Sequence, residues 1–92
     1  MPRLDICQSV LRRLIAAGDP LAIPLAERAI NDYLDVATGC ARQSGLRRLQ
    51  QDAWDQHRTV VGVQRSFAET VHAYLERKLA EEQGGTRAGS AR

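Results

Sequence analysis

An apolar stripe running from Leu46 to Leu79 constrains this chain more than any other feature. At about 100° per residue, with Leu46 as origin, Leu49, Ala53, Val60, Phe67, Val71 and Leu75 fall within about 60° of one line. The polar residues His57 and Gln64 lie on the same line. Read as one unbroken helix to Glu82, this spine has about 37 residues and a length of about 55 Å, whereas roughly 30 Å spans a small domain.

Two shorter helices precede it. Leu4, Cys7, Leu11 and Leu14 recur at steps of three and four, with Val10 and Ile15 widening the stripe, which places a first helix over residues 3–17. Gly18-Asp19-Pro20 ends it, because glycine takes the left-handed cap and proline cannot continue a helix. Pro24 is unfavourable inside a helix, so a turn at 19–22 leads into a second helix from Pro24 to Ala37. Leu25, Ala26, Ala29, Ile30, Tyr33 and Leu34 form its wide apolar face. Gly39 stops it, residues 40–45 read as a polar connection, and Ser44 reads as the cap of the spine. Residues 83–92 are Gly-, Ser- and Ala-rich without apolar anchors, which predicts a flexible tail after a single helical domain over 1–82.

The spine admits two readings. Thr59-Val60-Val61-Gly62-Val63 is a poor helix segment, with four β-branched residues and a glycine. Ser66-Phe67-Ala68-Glu69 also matches a capping box. A break near Gly62 would give a compact four-helix bundle. The shared azimuth on both sides of Gly62 favours continuity instead. The expectation is therefore an all-α fold, with two short helices packed on one long C-terminal helix. Neither short helix covers the stripe, so the bundle is completed by dimerisation. Leu49, Ala53, His57, Val60, Gln64, Phe67, Val71 and Leu75 would form the oligomer interface. A buried polar residue on such a seam, His57 or Gln64, would fix register.

Composition narrows the function by exclusion. A net charge of +2 does not by itself imply nucleic acid or an anionic membrane. Twelve arginines against the single Lys78 fit a GC-rich, bacterial-type genome. Cys7 and Cys40 show neither metal-ligand spacing nor a disulfide framework. The N-terminal stretch does not resemble a signal peptide, and no apolar run approaches the roughly 18 residues of a membrane span, which predicts a cytoplasmic protein with no membrane partner.

Chemical signatures are sparse. Glu69-Thr70-Val71-His72 has the E-x-x-H spacing of carboxylate-bridged metal bundles, a remote metal-binding alternative in which Glu69 projects away from the core. Arg65 and His72 have the spacing of an Arg-x4-6-His pattern seen in some helical ribonucleases. No nucleophile–base set and no phosphate-cradling glycine loop can be assembled, so no enzyme activity and no cofactor are expected. Arg47, Arg58 and Arg65 share one flank of the spine with Trp54. Arginine and tryptophan are typical anchors of protein interfaces, which makes this flank the expected partner surface. The function read from the sequence is a small dimeric interaction module (an adaptor, chaperone or regulatory subunit) that binds itself and another protein. The alternative is a nucleic-acid-associated regulator or antitoxin-like protein.

Overall fold

Gly18 and Asp19 decide where the first helix ends in the computed structural model of the chain. The structure describes the backbone of residues 3–91 and the side chains of residues 4–82. Helix α1 spans Arg3–Ala17. Gly18 takes φ +67°, and its N–H closes onto the Leu14 carbonyl at 2.9 Å. The Asp19 carboxylate accepts from the Leu21 N–H at 3.0 Å and caps a 3₁₀ turn over Pro20–Ala22. Helix α2 follows over Ile23–Val36, with Pro24 in its first turn, where a missing N–H costs nothing.

The polar connection expected at 40–45 is instead helical. Helix α3 spans Cys40–His57 and begins directly after Gly39, so Ser44 lies inside it and caps nothing. Gly39 adopts φ +56° and ψ −134°, a backbone state for glycine that reverses the chain tightly enough to start a helix at once. Side chains from other elements then hold the first turns. The Tyr33 hydroxyl donates to the Ala41 carbonyl at 2.8 Å. Arg42 donates to the Leu34 carbonyl at the end of α2 and, at 2.6 Å, to Glu82 on the last helix. That hydrogen bond and ion pair hold the Glu82 carboxyl below its ordinary range and the guanidinium above its own.

The unbroken spine is also corrected. Helix α3 ends at His57, and helix α4 begins at Gly62 and runs to Ala91. Between them the Arg58 and Thr59 N–H groups turn back onto Asp55 and Gln56, and Gly62 takes φ +62°. Poor local propensity at Thr59–Val61 weakens the helix, and folding back lets α4 cover α3 within one chain. The longest dimension is 44 Å, shorter than the single long helix would need.

The seam assigned to a dimer is therefore this chain's own core. Leu49, Ala53, His57, Phe67, Val71 and Leu75 are buried, and Val60 and Gln64 are half-buried, without any second copy. Leu49, Ala53, Phe67, Val71 and Leu75 join Leu11, Ile15, Ile30 and Leu46 in one apolar cluster drawn from all four helices, with Val60 packed against it. In this closed form the buried ones are covered by the chain's own helices. The tail at 83–92 lies outside the residues whose side chains are described. Among the described residues no helix is long and apolar enough to cross a membrane.

The two cysteines differ sharply in setting. Cys7 is buried with its thiol 3.5 Å from the Ala29 carbonyl, and burial, aided by the Asp32 charge, pushes its pKa up to about 12. Cys40 is exposed at the start of α3. Since the thiolate is the reactive form, we expect Cys40 alone to react with an aromatic disulfide reagent at neutral pH, and Cys7 only after denaturant is added. Two thiols reacting together in native buffer would mean that α1 separates readily from α2.

Candidate functional site

Antiparallel packing of α4 on α3 leaves an open groove on one side of the pair. Arg47, Gln50, Gln51 and Trp54 line it from α3, and His72, Glu76 and Leu79 from α4. Trp54 remains 43% exposed, and its ring stacks on His57 with centroids 4.5 Å apart and planes 5° from parallel. His72 leans on the same indole at 4.7 Å with a 43° tilt. One face of the indole is thus taken by His57, and His72 restricts the ring further. That reduces its value as a platform for nucleobases.

The expected arginine–tryptophan flank is only partly assembled. Arg47 and Trp54 share the groove. Arg58 turns to Asp55 at 2.7 Å, and hydrogen bonds from Arg58 and Gln51 lower the Asp55 carboxyl below its ordinary range. Arg65 meets His57, with Nε 3.2 Å from Nε2. The E-x-x-H pair is divided: Glu69 approaches His57 Nε2 at 2.8 Å, while His72 lies against Trp54. Among the described residues no three His, Cys, Asp or Glu side chains converge as metal ligands would.

His57 is the polar anomaly of the core. It is 4% exposed, and its Nδ1 has no hydrogen-bond partner. A proton on Nε2 serves Glu69 and leaves a bare acceptor at Nδ1. A proton on Nδ1 lets Nε2 accept from Arg65 but leaves a buried donor with nowhere to point. Either tautomer strands one nitrogen, a cost of about 1–3 kcal/mol. We therefore expect His57→Leu to raise stability by about 1 kcal/mol, since the lost indole stack and the exposed Glu69 contact offset only part of that cost. Urea denaturation provides the check, and a destabilised variant would show that the ring's contacts outweigh its orphaned nitrogen.

A second surface was not anticipated. On the outer side of the α1–α2 hairpin, Ile6, Cys7, Val10, Ala29, Asp32 and Tyr33 line a groove of about 190 Å³. Leu25 stands one turn before Ala29, and Val36 one turn after Asp32, so both extend the same face. Ile6, Leu25 and Val36 are 55%, 56% and 51% exposed, and Val10 is exposed beside them. In the sequence, Val10 and Leu25 merged into the apolar stripes of their helices. The available signal was the width of those stripes, which exceeds what one packing contact per helix can bury. No family model, curated protein or solved structure matches this chain.

Proposed function

We propose that this chain is a small helical module that works by binding another protein, and that the outer α1–α2 face is its docking surface. The observation that carries the reading is the exposed aliphatic pair Ile6 and Val10 lining this groove, with exposed Leu25 and Val36 one helical turn beyond its α2 wall at either end. Contiguous apolar surface of this kind marks interaction sites in soluble proteins. A groove between two helices suits an amphipathic helix, and the exposed Asp32 carboxylate within it favours a basic residue on that helix.

The α3–α4 groove is the lesser candidate. Its tryptophan is committed to His57, and two of the three arginines of that flank are engaged by Asp55 and His57.

The test is affinity capture from the native cell with the wild-type chain, Val10→Asp/Leu25→Asp and Trp54→Ala, each confirmed to be folded. The expected result is a partner held through a high-salt wash, lost with Val10→Asp/Leu25→Asp and kept with Trp54→Ala. Binding that instead follows Trp54, or that is removed by salt as phosphate contacts are, would overturn the assignment.

A further inference from the structure

Helices α3 and α4 can be joined in two ways that keep the same contacts. In the closed chain the linker 58–61 folds back and Gly62 sits at φ +62°. Were the linker helical, α3 and α4 would become one rod. Its apolar residues would stay on one line, because Leu49, Ala53 and His57 share their azimuth with Phe67, Val71 and Leu75 to within about 80°. A turn does not require that agreement; a continuous helix does.

We infer that this protein exchanges α4 between two copies, with 58–62 as the hinge. In the exchanged dimer the α4 of one copy lies on α1, α2 and α3 of the other. Every closed contact is re-formed between chains: His57 with Glu69, Gln64 with the Ala16 carbonyl, and Phe67 in the core. Only the hinge changes its environment. Val61 is 75% exposed in the closed chain, whereas in the rod Val60 and Val61 flank Gln64 on the stripe, facing the partner's hinge. The exchanged form therefore buries apolar surface that the closed form leaves in water, and exchange of an identical element is a low-cost route to a dimer. Gly62 and the β-branched residues around it oppose the rod and keep the closed chain populated.

Gly62 offers a clean test, because a Cβ built on it meets nothing within 4 Å. Gly62→Ala acts on the backbone alone: it strains the closed turn and favours the rod, once in each of two chains. Sedimentation velocity should show wild-type monomer at micromolar concentration and, for Gly62→Ala, a dimer association constant raised by about a thousandfold. Exchange is read by placing Gln50→Cys and Glu76→Cys on the two walls of the α3–α4 groove, with Cys40→Ser, and adding a short bis-maleimide. The expected product from the Gly62→Ala dimer is two chains covalently linked. Two glycines inserted after residue 62 of that variant rotate α4 by about 200° in the rod and should return it to monomer. Should Gly62→Ala fail to fold, Thr59→Ala raises hinge helicity without touching the glycine or the two valines and should raise the association constant by about tenfold. A folded hinge variant that stays monomeric, or a dimer bridged only within single chains, overturns the inference. The second outcome would instead mean that closed chains associate face to face.

Discussion

Gly45→Ala is expected to destabilise the fold by about 2–3 kcal/mol, although the same change at an exposed helical position stabilises by about 1 kcal/mol. Gly45 lies inside α3, and a Cβ there would sit 2.0 Å from the Tyr33 hydroxyl oxygen and 2.5 Å from Cζ of the ring. Tyr33 is buried, and its hydroxyl is committed to the Ala41 carbonyl at 2.8 Å. The ring can retreat only by giving up that bond, worth about 1 kcal/mol, and part of a burial worth about 1.5–3 kcal/mol. At about 4–8 °C per kcal/mol for a domain of this size, the melting temperature should fall by about 10–20 °C. A double-mutant cycle separates the contact from helix propensity. Tyr33→Leu alone is destabilising, but adding Gly45→Ala to it should be neutral or favourable. Strictly additive costs would mean that the close approach of Tyr33 is not what position 45 requires.

Gly45 also shows where sequence reading runs out. Residues 40–45 look like a linker because Gly39, Ser44 and Gly45 punctuate them, although Ala41, Arg42 and Gln43 are good helix formers. Tyr33 and Arg42 supply tertiary contacts that outweigh the glycines, and one of them, from Arg42 to Glu82, spans 40 residues, beyond the reach of a local window. The stripe was legible in its membership: Leu49, Ala53, Phe67, Val71 and Leu75 are all core residues. What they pack against was not, since a straight rod and a folded hairpin both present a coherent stripe. Local propensity at Thr59–Gly62 decides for the hairpin within one chain, while the shared azimuth leaves the rod open to it. On the candidate surfaces, the arginine–Trp54 flank was visible from spacing alone, but the partners Asp55 and His57 that draw two of its arginines away follow from the turn. The α1–α2 face stayed hidden because a helix's buried and exposed apolar residues look alike until a neighbour covers one set.

Phe67→Ala is expected to cost about 3–5 kcal/mol, enough to remove a large part of the stability of a domain this small. Phe67 is buried on α4 beside a hollow of about 100 Å³ that Pro20, Ile23 and Val63 also line. Truncation extends that hollow into the core, and the cost follows from the lost burial and from how far the neighbouring side chains can close in. The way the cost depends on concentration carries as much information as its size. Because the closed chain shields Phe67 by itself, the urea midpoints of wild type and variant should not move between about 1 and about 100 µM. A core completed only by a second copy would shift both midpoints upward with concentration. The substitution also separates stability from exchange. Phe67 makes the same contacts whether α4 lies on its own chain or on a partner's, so its loss weakens the closed and exchanged forms equally per chain. The monomer–dimer ratio should stay where it was, while Gly62→Ala, which touches only the hinge, moves that ratio with a far smaller effect on the core.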